Sequence, residues 1–318
     1  MNTKTITRRS FLSTTAATAA AAYLTPRALF AQQAQQPEMV IKAREGAATA
    51  KITTQKLRGN VSVLMGSGGN IAVLPGPQGK ILVDTGISTS RPQITEALLA
   101  ISADPIERLI NTHWHYDHTD GNPWIHAAGA TIIAHEKTRL RLSTPQTIVL
   151  FNATFPSLPA DALPTIIFTD EHTLETNGES LHLQHYDPAH TDTDISVHFA
   201  DADILHCGDT WFNGAYPFID YSTGGHVDGM IRAAKRNLAT GTQSTILIPG
   251  HGPIGNKTDL AADLEMWTAM RDSIASLKKQ GKSIEEVIAA KPTAKYDAKY
   301  GAGFVTPELF TRLVYQGV

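Results

Sequence analysis

The segment Asn111-Thr112-His113-Trp114-His115-Tyr116-Asp117-His118 packs three imidazoles and a carboxylate into six residues. A strand is predicted over 107–111, so the cluster leaves that strand directly. On an extended backbone His113 and His115 share a face, because side chains alternate with period two. Asp117 and His118 then turn in from the following loop. Imidazole with carboxylate suits zinc, and also iron or manganese. Further candidate donors stand downstream in turn-like settings, where loops on a rigid scaffold carry function. They are His190 in Pro188-Ala189-His190-Thr191-Asp192, Asp209 in Cys207-Gly208-Asp209-Thr210, and His251 in Pro249-Gly250-His251-Gly252. Each is a weak signal alone, and the set gains its force from the cluster.

The rest of the chain supplies a scaffold in two halves. Short β-rich runs at 61–65, 70–74 and 80–83 are separated by glycine-rich turns, and a helix is predicted from Pro92 to about Ile101. The second half repeats the plan, with strands at 181–186, 195–199, 203–206 and 245–248. A helix near 227–238 separates the last two, and 259–279 reads as a long amphipathic helix. Strand blocks followed by helices imply two packed sheets covered outside by helices. Residues 142–165 hold four prolines and two phenylalanines without clear periodicity. They read either as a plain connection or as a lid, the commoner use of a long structureless loop.

These donors resemble those of the metallo-β-lactamase superfamily: His-x-His-x-Asp-His, a single histidine, Gly-Asp, then a histidine followed by glycine. Val83-Asp84-Thr85-Gly86 matches the strand-end aspartate turn that precedes the cluster in that family. The resemblance covers roughly residues 52–255 and implies an α+β fold, a four-layer αββα sandwich with two metal ions at one edge. By that resemblance His113, His115 and His190 hold the first Zn2+, and Asp117, His118 and His251 hold the second. Asp209 bridges them with a shared hydroxide, and Asp84 orients the histidine loop from behind. The paired metals would activate water and polarise a carbonyl or phosphoryl oxygen, with Asp117 as the catalytic group that passes a proton to the leaving group.

The other eight histidines (His126, His135, His172, His182, His185, His198, His206, His226) read as surface or packing residues, with His226 the one candidate to face substrate. Cys207 is the chain's single cysteine, so no internal disulfide exists. The Gly-Asp alignment puts Asp209, not Cys207, at the ligand position, leaving Cys207 a buried, inert thiol. Trp211 to Phe218 forms an aromatic segment that borders the pocket, part of it core.

Thr7-Arg8-Arg9-Ser10-Phe11-Leu12 resembles the twin-arginine export motif, and Ala28-Leu29-Phe30-Ala31 offers a cleavage site after Ala31. The weakly apolar run between them, 13–24, is shorter than the ~20 residues that span a bilayer. Residues 1–31 are therefore expected to be an export signal, 32–45 a linker, and 46–318 the catalytic domain with its C-terminal helices. Periplasmic localisation follows, with the export machinery as partner and no stable membrane association after cleavage. Residues 1–31 carry four basic residues and no acid, so the mature chain holds 23 basic against 30 acidic residues. That balance gives no electrostatic reason to bind nucleic acid or anionic lipid.

The expected partner is a small-molecule substrate. Asp209 favours cleavage of an ester, lactone, thioester or phosphodiester over the β-lactams taken by relatives with cysteine or serine there. Against a glyoxalase-type thioesterase, the C-terminal region shows no basic and aromatic set for glutathione. Three alternatives compete: a β-lactamase, a mononuclear iron oxygenase of the persulfide dioxygenase type, and a non-catalytic zinc-binding protein.

Overall fold

Alternating apolar residues build two sheets, which the computed structural model describes within residues 37–318. The expected export signal and the residues up to Gln36 lie outside the described residues. Helix α1 (Glu38–Ala48) precedes an antiparallel meander of β1 (Thr53–Lys56), β2 (Ser62–Met65), β3 (Ile71–Leu74) and β4 (Lys80–Val83). Helix α2 (Arg91–Ile101) leads to β5 (Ile106–Ile110), parallel to β4. Short helices α3 (Tyr116–Thr119) and α4 (Asn122–Ala127) precede β6 (Thr131–His135). Helix α5 (Glu136–Leu142) and a hairpin of β7 (Gln146–Ile148) and β8 (Ala153–Phe155) follow, then β9 (Ile166–Phe168). The first sheet has the order β1-β2-β3-β4-β5-β6-β9.

The second sheet begins with the antiparallel strands β10 (Glu171–Thr176), β11 (Glu179–His185), β12 (Ile195–Phe199) and β13 (Ile204–His206). Helix α6 (Val227–Ala239) crosses to β14 (Ile246–Ile248), parallel to β13, and β15 (Gly255–Asn256) closes the edge. Helices α7 (Lys257–Lys279), α8 (Ile284–Ala289), α9 (Asp297–Tyr300) and α10 (Pro307–Gln316) end the chain. Asn256 accepts from Thr258 N and Asp259 N, and Asp259 returns the bond to Asn256 N. Such a box stabilises a helix start by about 1 kcal/mol. No helix among the described residues is long and apolar enough to cross a membrane.

Period-two alternation sorts the strand residues into three cores. Val63, Ala72, Leu74, Ile81 and Val83 of the first sheet meet Leu181, Leu183, Ile195, Val197 and Ile248 of the second. Their neighbours Leu64, Val73, Leu82 and Leu109 face outward onto Ile94 and Leu98 of α2 and Ile125 of α4. Leu205 and Leu247 face the other way, into a cluster with Met230, Ala233, Met266, Trp267 and Phe310 from α6, α7 and α10. The four layers are thus helix, sheet, sheet, helix, as the αββα expectation required.

Two expectations are corrected. The segment 32–45 is not all linker: Glu38–Ala48 is helical, with Val40 and Ala47 buried. Thr89 Oγ1 donates to Arg44 O, Gln93 Nε2 donates to Ala48 O, and the Arg44 guanidinium pairs with Asp120. The glutamine-rich start masked the 3–4 spacing of Met39, Val40, Ala43 and Ala47. The segment 142–165 is not structureless, because β7 and β8 pair across 146–155 and Leu158 N donates to Leu142 O. Strand ends shift by a residue or two because pairing, not hydrophobicity, sets them. Glu179 and Ser180 extend the strand expected at 181–186 by pairing with Thr176 and Glu175.

Candidate metal centre

The chemistry-bearing loops leave the sheets at one common edge. Asp84 follows β4, the histidine cluster follows β5, Asp209 follows β13 and His251 follows β14, while His190 lies in the turn between β11 and β12. Ligand atoms of His113, His115, His190 and Asp209 lie within 4.8 Å of one another, as do those of Asp117, His118 and His251. Asp209 touches both groups. Its Oδ2 is 3.8 Å from His113 Nε2, 3.5 Å from His190 Nε2 and 3.4 Å from His251 Nε2. Its Oδ1 lies 3.1 Å from His118 Nε2. All seven expected donors therefore converge. Gly250 permits the approach, since a Cβ there would stand 1.9 Å from Asp209 Oδ1.

Outer partners decide which ring nitrogen faces inward, and the tautomers follow from them. Asp84, on a left-handed backbone (φ 66) that aspartate tolerates, accepts from Thr112 N at 2.8 Å and Thr112 Oγ1 at 2.7 Å. It also accepts from His118 Nδ1 at 2.8 Å, while His113 Nδ1 donates to Thr112 Oγ1 at 3.0 Å. Asp84 thus lies behind the histidine loop, where it was expected. His190 Nδ1 donates to Phe218 O at 2.9 Å, and His115 Nε2 donates to Asp220 Oδ2 at 3.2 Å. Asp220 is the functional residue the sequence did not reveal. The available signal was general: ligating histidines give their outer N–H to an acid or carbonyl, and Asp220 is the first acid after the aromatic segment 211–218.

With those outer protons assigned, bare lone pairs point inward at each other. His115 Nδ1 and His190 Nε2 are 2.8 Å apart, while His118 Nε2 and His251 Nε2 lie against the Asp117 and Asp209 carboxylates. His113 Nε2 is buried with no hydrogen-bond partner. Lone pairs facing in this way repel, and an orphaned buried acceptor costs about 1–3 kcal/mol. Divalent cations remove both penalties, so the donor set fits a metal centre.

Taken as protein groups alone, the centre is strongly polarised. Burial lowers His113 well below the usual histidine range, with His118 adding to the effect. Burial acts the same way on His118, but Asp209, Asp117 and Asp84 outweigh it and raise His118 well above that range. At Asp117 burial is outweighed by His118 and His251, which hold the carboxyl at about 2. At Asp220 it is outweighed by the hydrogen bond to His115, again leaving the carboxyl at about 2.

The remaining candidates fall outside the centre. Cys207 is buried, its Sγ is 3.8 Å from Leu205 O, and burial pushes its pKa up. His226 caps α6 by accepting from Asp228 N, so the substrate-facing alternative is not borne out. Trp211 is core and donates to the buried Asp263 at 2.8 Å, whereas Phe212, Tyr216 and Phe218 line the cavity over the centre.

A sequence profile described as the metallo-beta-lactamase superfamily matches residues 64–279. The chain belongs to that superfamily. The hydroxyacylglutathione hydrolase of Polaromonas sp. is 28% identical over 165 residues. The match spans 51% of this chain and 54% of that relative, so the chain matches about half the length of this curated relative. Among solved structures, a sec-alkylsulfatase from Pseudomonas sp. aligns with TM-score 0.63 and 15% identity over 86% of this chain and 51% of its own. A metallo-beta-lactamase from Pontibacter korlensis aligns with TM-score 0.55 and 18% identity over 68% of this chain and 99% of its own. The second likeness shows the fold to be that of a metallo-beta-lactamase.

Proposed function

We propose that the chain is a metallohydrolase using two divalent cations, zinc foremost, to cleave an ester, lactone, thioester or phosphodiester. The carrying observation is the reach of Asp209 into both donor groups. His113, His115 and His190 would hold one ion and Asp117, His118 and His251 the other, with Asp209 shared. Bound there, the cations lower the pKa of a water and polarise the substrate oxygen. The relative that hydrolyses hydroxyacylglutathione supports hydrolysis as the reaction class.

The chain's own groups do the rest. Asp84, Asp220 and the carbonyl of Phe218 fix the imidazoles, so donor geometry is set before substrate arrives. Asp117 faces the cavity with Oδ2 3.3 Å from His251 Nε2. As a carboxylate it is placed to take the proton that the attacking water gives up and to pass it to the departing group. Export by the twin-arginine route to the periplasm is proposed alongside, on the strength of Arg8-Arg9.

The test is metal analysis of protein purified without added metal, followed by a panel of ester, lactone, thioester, phosphodiester and β-lactam substrates. About two equivalents of zinc and a best kcat/KM on a non-lactam substrate are expected. Efficient penicillin or carbapenem hydrolysis with poor turnover of the others would overturn the assignment. One equivalent of iron would favour the oxygenase alternative.

A further inference from the structure

The cavity above the centre holds about 420 Å³, the size of a small-molecule site. Beyond the donors on its floor, its lining is Met39 and Ala43 of α1, two tyrosines, and aliphatic and phenylalanine side chains. None of the described lining residues is Lys, Arg, Ser, Thr, Asn or Gln. Tyr216 spends its hydroxyl on Asp297 Oδ1 at 2.8 Å, and the Tyr116 ring stacks on Phe155. Phe151, on the turn between β7 and β8, meets Phe218 at 5.2 Å between ring centroids and Phe304, on the loop before α10, at 5.4 Å.

The apolar character continues outward. Phe304 is 63% exposed, and Val149 and Leu150 beside Phe151 are 73% and 44% exposed. Large exposed side chains adjoining a cavity mark a binding mouth rather than scattered surface hydrophobes. An anionic substituent entering here would lose hydration and find no cationic side chain on the described walls.

We propose that the substrate carries an uncharged apolar group, an aliphatic chain of several carbons or an aryl ring, beside the bond that breaks. Phe151 and Phe304 close on that group from opposite loops. Glutathione, with its two carboxylates, is the wrong shape of charge for this cavity. The proposal rests on the hydrolase assignment for the chemistry at its floor, and names what fills the space above it.

Two series test it on the metal-loaded protein. The first is kcat/KM for methyl acetate, butyrate, hexanoate and octanoate, with a glutathione thioester as comparator. The second is the dissociation constant of 1-butanol, 1-hexanol and 1-octanol by calorimetry, which needs no turnover. Each added methylene should improve both quantities about fourfold, the transfer value for a buried CH2. Phe304→Ala, at an exposed position where folding is not at risk, should cut the octanoate-to-acetate ratio about tenfold and weaken octanol binding to match. A flat series, a ratio unmoved by Phe304→Ala, or a glutathione thioester outrunning the octanoate overturns the proposal. If no ester is hydrolysed, the hydrolase assignment is what fails for esters. The alcohol series then decides the cavity by itself: chain-length dependence lost in Phe304→Ala upholds it, and independence of chain length refutes it.

Discussion

Asp220 sits one layer behind the donors and fixes which nitrogen of His115 faces inward. Removing such an outer carboxylate weakens metal binding about 10–100-fold in comparable centres. Asp220→Ala should therefore lose that much affinity in competition with a chromophoric chelator, while Asp220→Asn, which can still accept from His115 Nε2, should lose less. Asp209 stands in the middle of the set. Asp209→Ala should lower kcat/KM on the best substrate by about a hundredfold or more, the scale of losing a key electrostatic group. Assay at saturating zinc separates that loss from weaker metal binding. The seven donors were legible because a dense local cluster singles itself out, and isolated residues such as His190 gain meaning beside it. Asp220 was not, because a lone acid after an aromatic run is indistinguishable from a turn residue until the fold brings His115 to it.

At the scale of elements, a stacked imidazole pair joins β6 to the end of β11. His135 and His185 lie 3.7 Å apart between ring centroids and parallel to 1°. His135 Nε2 donates to Thr169 O at 2.7 Å, and His135 Nδ1 accepts from Lys137 N. Burial, with His185 adding to it, lowers His135 to about 4. The unfolded chain protonates near 6.5, so between pH 6.5 and 4 it binds a proton that the folded form refuses, and stability falls on acidification. Wild-type protein should lose on the order of 1–2 kcal/mol more than His135→Gln between pH 7 and 5, read from urea midpoints. Helix α1 is the other element with a stake in the site, supplying Met39 and Ala43 to the cavity wall. Arg44→Ala removes its pairing with Asp120 and should raise KM more than it lowers kcat. That helix escaped the sequence because its polar approach read as linker. Strands β2 to β5 and β11 to β14 did not escape, since buried apolar runs write themselves directly into the order of residues, whereas β1, β6, β9, β10 and β15 did. The β7–β8 hairpin was missed for the opposite reason: its strands are three residues long, too short for any period to show.

For the whole molecule, metal and fold should be linked, because cations bound only by the folded form add stability as their concentration exceeds Kd. Chelation should lower Tm by several degrees, and zinc should restore it. His118→Ala should retain about one metal equivalent of two; a fully active one-metal variant would exclude the two-metal mechanism. Replacing Arg8 and Arg9 together with lysine should leave the precursor in the cytoplasm, detected by fractionation. Asp84 adds a relation between the two donor groups. It braces His113 through the Thr112 hydroxyl in one group and holds His118 directly in the other. An ion that settles either group immobilises this shared carboxylate and reduces the ordering left to be done at its neighbour. By reciprocity each ion then favours the other's arrival. Zinc titration of the wild type should follow a sigmoid with a Hill coefficient above 1, and Asp84→Asn should separate the curve into two independent, weaker steps.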